Sequence, residues 1–371
     1  MIQPTPFCNI DCSYCYLPHR NSTKKLSFAL AERLFERLFQ FPTIKDDITV
    51  VWHAGEPMVL PVEYYETMFA LVQRRAGTAL KVRHSFQTNG TLITDAWCDL
   101  ITRWNVNLGV SIDGPAEFHD LHRKYRNGSG SFERAFRGVR LLQARGIPFH
   151  VISVLTLASL QAPEAMLTFY DQAGIDHVCF NVEEKEGCHS HSGTLESSCF
   201  DELYRSYLET FLELAMRLDK KIVVREFENS VRAIRSYSNE YMNEQTDPFA
   251  IISVDCEGNL STFSPELLGI QHPVYGSFCF GNAAEDDFET IARRVTESSL
   301  CADILSGKRK CQSECAYFGV CGGGAPSNKI FENNSADSTE TAYCRSQKIA
   351  IDVTLSFIER LSRVATQPAP L

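Results

Sequence analysis

Hydrophobic positions follow two periodicities along the first 220 residues of the chain. Short runs rich in β-branched and aromatic residues alternate with longer windows in which apolar residues recur at helical spacing. The windows predict strands at 2–7, 48–53, 82–88, 107–112, 149–155 and 177–182, and helices at 28–40, 62–75, 95–104, 132–145 and 160–173. This alternation is typical of βα units, so it predicts an α/β fold with six strands in an incomplete parallel barrel.

The sequence changes character after a further predicted helix at 201–218. From 255 to 345 it is rich in Gly, Ser, Asn and Cys, which is typical of a small domain held together by metal. A strand, turn and second strand are predicted at 253–260, a similar segment at 278–282, and a last helix near 346–363. We expect a barrel at 1–225, a linker or bridging helix at 226–252, a cluster domain at 253–350, and a C-terminal helix and tail at 351–371.

The composition restricts the class of protein. The formal net charge of −10 disfavours a nucleic-acid partner, because phosphate binding needs clustered Lys and Arg. No apolar run is long enough to cross a bilayer and the first residues lack a signal-peptide pattern, so we expect a soluble, cytoplasmic protein without a membrane partner. In that compartment, 14 cysteines indicate metal or redox chemistry rather than disulfides.

Three cysteines near the start of the chain, Cys8, Cys12 and Cys15, are spaced so that one short loop can hold a metal cluster. A four-iron cluster normally takes four thiolates, so three protein ligands leave one iron open to an outside ligand. The alternative is a structural zinc site, which needs a fourth Cys or His close by. The nearest histidine, His19, is followed by the polar run Arg-Asn-Ser-Thr-Lys-Lys, and this disfavours zinc.

The cysteine spacing, with Tyr14 before the last cysteine, resembles the signature of the radical S-adenosylmethionine (SAM) superfamily. The resemblance implies that SAM is chelated by the open iron of a [4Fe-4S] cluster. The segment Ala54-Gly-Glu-Pro57 resembles the G-G-E-P motif of that superfamily, and Ser111-Ile-Asp-Gly-Pro115 with Arg123 resembles a SAM-binding segment of its peptide maturases. The implied SAM contacts are Tyr14, Ala54, Gly55, Glu56, Gln87, Asn89, Ser111, Asp113, Arg123, Val154 and Val182.

Each of these segments also has a simpler interpretation. The segment around Gly55 can be a plain turn, Asp113 and Arg123 can form a surface salt bridge, and Val154 can belong to the core of a buried strand. Glu183 and Glu184, at the end of the last predicted strand, can be substrate or adenine contacts or solvated loop charges.

Four C-terminal cysteines, Cys311, Cys315, Cys321 and Cys344, can close an iron–sulfur or zinc site with no open position. This region resembles the SPASM extension of radical SAM maturases, which carries auxiliary iron–sulfur clusters. The resemblance implies a partial (β/α)6 TIM-type barrel, a small SPASM or twitch-like domain and a final helix. Cys256 and Cys279 are further candidate ligands. Two auxiliary clusters need eight thiolates and this region has seven, so we expect one, and two [4Fe-4S] clusters in all.

The chain departs from the sulfatase maturases of this superfamily. They carry an aspartate base where this chain has Phe280, and further cysteines where it has Ala325 and the neighbourhood of Phe263. The cysteine motif and the segments 180–184 and 261–267 resemble instead the maturases of glycine-rich-repeat precursor peptides. That group belongs with enzymes that form three-residue cyclophane crosslinks.

The resemblance implies an enzyme that cleaves SAM to a 5′-deoxyadenosyl radical and abstracts a side-chain hydrogen from a ribosomally made precursor peptide. The product is a carbon–carbon crosslink to an aromatic residue. Flavodoxin or ferredoxin would supply electrons, and Glu183, Glu184 and Glu266 are the candidate bases. Two alternatives remain open: formylglycine generation on a sulfatase, and a non-enzymatic iron–sulfur or zinc scaffold.

Overall fold

The computed structural model describes residues 1–238 and 241–366, without the side chains of 364–366. In this part of the chain six parallel strands form one sheet, in sequence order. They are β1 (Asp47–Trp52), β2 (Lys81–Thr88), β3 (Asn107–Ser111), β4 (His150–Leu155), β5 (His177–Val182) and β6 (Val223–Val224). The sheet ends at β1 and β6, which is the open barrel that the hydrophobic pattern predicts.

One helix precedes β1, and others connect the successive strands. They are α1 (Phe28–Leu38), α2 (Val62–Ala76), α3 (Asp95–Trp104), α4 (Ala116–His122), α5 (Phe132–Ala144), α6 (Leu157–Leu160), α7 (Pro163–Ala173) and α8 (Phe200–Ala215), and α9 (Arg225–Arg235) follows β6. In α1 the Ser27 side chain accepts the N–H of Leu30, and Ala31, Leu34 and Phe35 are buried at helical spacing. The predicted helix at 160–173 is divided into α6 and α7, because Pro163 fits the first turn of a helix but not its interior.

The strand predicted at 2–7 is wrong. Ile2 forms isolated bridges with Trp52 and Val254, but Pro4 and Pro6 have no N–H to continue a ladder. The segment therefore links the barrel sheet to the C-terminal half of the chain instead of adding a strand. The sixth strand is β6, which was not predicted, because two valines between charged residues are too short a signal for a strand.

The C-terminal half contains small antiparallel sheets and a group of helices. Strands β7 (Ile252–Val254), β8 (Asn259–Thr262) and β11 (Gly281–Asn282) form one sheet, and β9 (Gln271–His272) pairs with β10 (Gly276–Ser277). The helices are α10 (Phe288–Thr296), α11 (Ser299–Glu314), α12 (Phe318–Cys321), α13 (Pro326–Asn333) and α14 (Ala342–Thr366). The strand–turn–strand and the last helix are found near the predicted positions.

One continuous apolar cluster extends from Ile2 to Val353 and includes residues of both halves. The division into domains at 225 and 253 therefore stays a prediction, and the predicted tail beyond 366 lies outside the described residues. Among the described helices, none combines the length and the apolar character that a membrane span requires.

Candidate active site

A cavity of about 540 Å³ lies where the ends of the central strands meet the N-terminal cysteine loop and the C-terminal half. Cys8, Cys12 and Cys15 all line it. The carboxyl ends of parallel strands share one edge of a barrel, which explains why residues far apart in sequence meet there. The sequence motifs identified above therefore share one space.

Hydrogen bonds to the segment before α5 hold the cysteine loop in place. The N–H of Asp11 donates to the carbonyl of Lys124 at 2.7 Å, and that of Ser13 donates to the carbonyl of His122 at 3.1 Å. The guanidinium of Arg126 donates to the carbonyl of Cys8 at 2.9 and 3.1 Å. The loop backbone is therefore fixed from outside the cavity.

The thiols of this loop have the donor chemistry of a cluster site. Burial raises the pKa of Cys8 and of Cys12 to about 12, and it also raises the pKa of Cys15. Ionised thiolates in this place need a positive group between them, which an iron–sulfur cluster supplies. Among the described residues, no group of three or more Cys, His, Asp or Glu side chains is arranged so that it could hold a single metal ion. The fit therefore rests on the shared cavity and the three sulfur donors.

Glu56 faces this cavity with most of its hydrogen-bonding capacity used. Its carboxylate accepts the N–H of Asn89 at 2.7 Å, the hydroxyl of Thr88 at 2.7 Å and the N–H of Met58 at 3.0 Å. Burial raises the pKa of Glu56 to about 7. The Asn89 amide lies 3.8 Å from the Cys8 sulfur, so the turn after β2 connects the carboxylate to the cysteine loop.

The two residues before Glu56 have structural roles that the motif alone did not show. Ala54 has a φ of 67°, a left-handed conformation, and its carbonyl accepts the side-chain N–H of Gln3 at 2.7 Å. A Cβ on Gly55 would lie 2.2 Å from the carbonyl oxygen of Thr5. Glycine is therefore needed at position 55, because the backbone there packs directly against the backbone of Thr5. Gly55 lines the cavity, whereas Ala54 lies behind its wall.

Ser111 and Arg123 line the cavity, but Asp113 does not. Asp113 accepts two hydrogen bonds from Arg123, at 2.9 and 3.0 Å, and one from the N–H of Val154 at 2.9 Å. It also accepts the hydroxyl of Tyr14. The pair is buried, with Arg123 7% and Asp113 2% exposed, so the surface salt bridge considered above becomes a buried one that orients Arg123.

The remaining predicted SAM contacts are on the same wall. Gln87 donates to the Ser111 hydroxyl at 3.0 Å, and both residues line the cavity with Tyr14, Asn89, Val154 and Val182. Of the eleven predicted contacts, Ala54 and Asp113 are the two that do not reach the cavity surface in the described chain.

The three candidate bases all line the cavity but differ in their surroundings. Glu183 is held by His189 at 3.1 Å and by Thr194 at 2.5 Å, so both of its oxygens are engaged. Glu184 accepts a hydrogen bond from the Asn328 amide at 2.9 Å and shares another with Glu186, and Glu266 accepts one from Ser264. Burial raises the pKa of Glu184 to about 7. Glu184 and Glu266 are therefore better placed to take a proton than Glu183.

The four C-terminal cysteines lie at the end of α11, in α12 and in α14. Burial is the largest cause of the raised pKa of Cys321 and of Cys344. The other thiols of the set add to it: Cys311 and Cys315 raise the pKa of Cys321, and Cys321 and Cys315 raise the pKa of Cys344. The ammonium group of Lys329 lies 3.5 Å from the sulfur of Cys311. A thiolate-bound cluster is anionic, so a buried cation beside this set fits it.

Cys256 and Cys279 lie in the small antiparallel sheet region. Cys256 is buried, whereas Cys279 is exposed and donates to the carbonyl of Gly281 at 3.3 Å. Phe263 and Leu267, in the same region, are both fully buried.

Sequence reasoning did not identify four residues of this region: Glu186, Tyr204, Asn328 and Lys329. Glu186 lies two residues after Glu184, and that spacing was its only sequence signal. The others come from helices that meet the cavity or the C-terminal cysteines through tertiary packing, which no local pattern reports.

Comparison with known proteins agrees with this geometry. A family model described as the radical SAM superfamily matches residues 2–182. A Synechocystis protein described as uncharacterized, sll1766, is 41% identical over 349 residues, which cover 93% of this chain and 87% of that protein. A serine-type anaerobic sulfatase-maturating enzyme of Bacteroides thetaiotaomicron is 25% identical over 357 residues, covering 89% of this chain and 83% of that enzyme.

A solved structure shares the fold. The structure described as native anSMEcpe with bound AdoMet and Kp18Cys peptide aligns with a TM-score of 0.78 at 19% identity, covering 98% of each chain. The likeness therefore extends beyond the barrel to the C-terminal half.

Proposed function

Because the chain belongs to the radical SAM superfamily, we propose that it is a peptide-modifying enzyme that forms a carbon–carbon crosslink in a ribosomally made precursor peptide. The crosslink would join an aromatic residue to a nearby side-chain carbon, as in cyclophanes. One observation carries the proposal: the N-terminal thiols and the carboxylates Glu184 and Glu266 line a single cavity. Radical chemistry and proton removal can therefore act on the same bound peptide.

The residues that line this cavity have different roles in the proposed reaction. Cys8, Cys12 and Cys15 would hold the cluster, while Glu56 and Arg123 would bind the amino and carboxylate groups of SAM. When bound, the cluster and SAM supply a carbon radical that removes one hydrogen atom, and an auxiliary iron–sulfur cluster supplies an acceptor for the second electron. The second hydrogen leaves the aromatic ring as a proton, so the crosslinked peptide has lost two hydrogens.

Glu184 and Glu266 are the groups that we propose to take this proton. Burial raises the pKa of Glu184 to about 7 and also raises the pKa of Glu266. A carboxylate whose pKa is raised towards neutrality can accept a proton in one step and release it afterwards. Asp113 acts behind the wall, where it holds Arg123 in orientation. A small reductant protein such as flavodoxin or ferredoxin would deliver the first electron.

A second candidate function is the oxidation of Cys or Ser to formylglycine, which the sulfatase-maturating relatives favour. Those enzymes resemble this chain over most of its length. Phe280, which takes the place of their aspartate base, is 8% exposed and offers no proton acceptor. In this chain the base would have to be one of the cavity glutamates.

The first experiment tests the radical SAM chemistry. Anaerobically reconstituted protein with SAM and dithionite should form 5′-deoxyadenosine, and the Cys12→Ala variant should form none above background. Cys98→Ala is the matched control, because Cys98 is buried in the core away from the cavity. A normal yield from Cys12→Ala would contradict the proposal.

The second experiment separates the products. Co-expression with a candidate precursor peptide, sought first among the neighbouring genes, should give a peptide about 2 Da lighter, the mass of the two hydrogens lost. Oxidation of Ser to formylglycine removes the same mass, so the product must also be treated with a hydrazide. A crosslink should not react and should suppress backbone fragmentation between the joined residues, whereas an aldehyde should react. A reactive product would replace the crosslink proposal with formylglycine generation.

A further inference from the structure

Three carboxylates meet on one side of the cavity: Glu184, Glu186 and Glu266. The first two follow β5, and the third lies in the 3-10 turn Pro265–Leu267. Glu184 and Glu186 share a hydrogen bond. Their other polar contacts are with neutral groups: the Asn328 amide to Glu184 at 2.9 Å, the Ser327 hydroxyl to Glu186 at 3.3 Å, and the Ser264 hydroxyl to Glu266. The segments that supply them belong to both halves of the chain.

The cavity has no cation to balance this group within the described chain. Six glutamates line it, against two arginines. Arg123 is engaged by Asp113, and Arg225 by Glu226 and Asn181. Glu56 and Glu183 are held by their own hydrogen bonds. Glu184, Glu186 and Glu266 are thus the lining carboxylates that lack both a cation and a full set of donors.

A buried hydroxyl provides an independent indication of a ligand. Tyr204 of α8 lines the same cavity and is 2% exposed, and no hydrogen bond joins its hydroxyl to a described residue, although the hydroxyl is not among the atoms sealed from the cavity. The charge of Glu184 acts on this hydroxyl, so the two groups are neighbours. A hydroxyl on the wall of a cavity with no protein partner is free to bind a polar group of a ligand.

We propose that Glu184, Glu186, Glu266 and the Tyr204 hydroxyl form a subsite for one basic side chain, Arg or Lys, of the substrate peptide. The inference rests on the proposed peptide-modifying function and adds a specificity rule to it. A guanidinium or ammonium supplies the missing positive charge and several donors, and the hydroxyl oxygen supplies one more acceptor. The subsite would fix the register of the peptide relative to the N-terminal cysteine loop.

The raised pKa values of the three carboxylates are consistent with the binding of a basic side chain. Burial and the neighbouring carboxylates raise the pKa of Glu186 well above its ordinary value, and burial raises that of Glu266. Like charges in one buried place cannot all ionise, so without a cation the fully ionised state of this group is disfavoured. A basic side chain removes that penalty.

Binding can be measured with two synthetic peptides, Ac-Gly-Tyr-Gly-Arg-Gly-amide and the same peptide with citrulline in place of arginine. Citrulline has nearly the same shape and no charge. Titration calorimetry on the cluster-loaded full-length chain with SAM, without reductant, should show the arginine peptide binding about tenfold more tightly, which corresponds to roughly 1.4 kcal/mol. Glu186→Gln and Glu266→Gln should each reduce this preference to about twofold or less.

Glu213→Gln is the matched control, because it removes one exposed carboxylate of α8 that pairs with Arg360 outside the cavity. It should keep the full preference. Equal affinity for the two peptides, no binding of the arginine peptide, or a preference that survives in both cavity variants would overturn the subsite. These outcomes are independent of the chemistry: a charge preference without any crosslinked product would contradict only the proposed function. Equal crosslinking of both peptides would contradict only the subsite.

Discussion

The Nζ atom of Lys329 lies 3.5 Å from the Sγ atom of Cys311, and Lys329 is 3% exposed. A Cβ on Gly307 of α11 would lie 2.3 Å from the carbonyl oxygen of Ala336 and 3.3 Å from the same Nζ, so this glycine permits close packing around the ammonium group. No carboxylate of the described chain forms a salt bridge with Lys329. A buried ammonium is costly without an opposite charge, so the thiolates of the C-terminal set are its natural counter-charge.

Lys329→Met should therefore change the reduction potential of the auxiliary cluster. The cation stabilises the more negative, reduced state, so its loss should lower the midpoint potential. A unit charge about 5 Å away at an effective dielectric near 20 gives a shift on the order of 100 mV. The measurement is a potentiometric titration followed by electron paramagnetic resonance on reconstituted protein.

Lys310→Met is the control for this change. Lys310 is next to Cys311 in sequence, but its side chain is 45% exposed and pairs with Asp337. Solvent screens an exposed charge, so the potential should hardly move. Equal shifts in the two variants would show that burial of Lys329 has no special role.

Gly138→Ala should disturb the candidate site from outside. A Cβ at this position of α5 would lie 2.4 Å from the carbonyl oxygen of Gly90, in the turn that carries Asn89. The turn would have to move, and the contacts of Asn89 with Glu56 and Cys8 would weaken. We expect a loss of about 1–3 kcal/mol in the free energy of unfolding and weaker SAM binding by calorimetry. Gly193 has open space where a Cβ would lie, so Gly193→Ala should change neither the free energy of unfolding nor the binding of SAM.

The sequence predicted the elements with strong periodicity and could not predict contacts between distant segments. Strands such as β2 and β5 and helices such as α3 lie within a residue or two of their predicted ends, because alternation and caps are local signals. The N-terminal strand failed because Pro4 and Pro6 break a ladder that its apolar residues suggested.

The candidate site shows the same limit. Cysteine spacing and strand-end motifs predicted residues that line the cavity. The role of Asp113 as an anchor for Arg123, and the positions of Tyr204 and Lys329, depend on how helices and loops pack. A local motif reports which residue is present but not whether its side chain faces a ligand or a neighbour.

The carboxylate group of the cavity should make stability depend on pH. The pKa of Glu186 is raised well above its ordinary value of 4.5, and that of Glu184 is raised to about 7. The folded state therefore holds protons that the unfolded state releases above pH 4.5, so stability falls as pH rises from about 5 towards 8. Glu186→Gln should melt a few degrees higher than the parent at pH 8 and nearly equal to it at pH 5.

None of the described groups that act on Glu184 and Glu186 is cationic: they are Glu266, Glu332, Asn328, Ser327, Tyr16, Tyr204 and Tyr343. Nothing in this set would reverse the sign of the effect. Glu213→Gln, an exposed change of the same charge, should follow the parent at every pH. Melting curves of the parent and Glu186→Gln that stay parallel from pH 5 to 8 would rule out proton retention by the cavity carboxylates.

Ala54→Gly should not destabilise the protein, although Ala to Gly is usually costly. Ala54 has a φ of 67°, and a left-handed conformation strains a residue with a Cβ by about 1–2 kcal/mol. Glycine removes this strain but adds freedom to the unfolded chain, worth about 0.5–1 kcal/mol. The melting temperature should stay equal or rise slightly. In contrast, Ala29→Gly, on the exposed face of α1, should lose about 1 kcal/mol, and equal losses in both variants would contradict the strain.

The number of clusters is the most direct consequence of the cysteine positions. Cys311, Cys315, Cys321 and Cys344 form one ligand set, whereas Cys256 and Cys279 have no further thiols at the positions of Phe263 and Ala325. Cys301 cannot replace them, because it is buried in α11 among apolar residues.

One auxiliary cluster together with the N-terminal cluster gives about eight irons per chain. Iron and sulfide analysis of the reconstituted protein should therefore find about eight, falling to about four in a Cys311→Ala and Cys315→Ala double variant. About twelve irons in the parent would mean that Cys256 and Cys279 hold a third cluster with non-cysteine ligands, and about four would mean that the C-terminal set binds zinc or no metal.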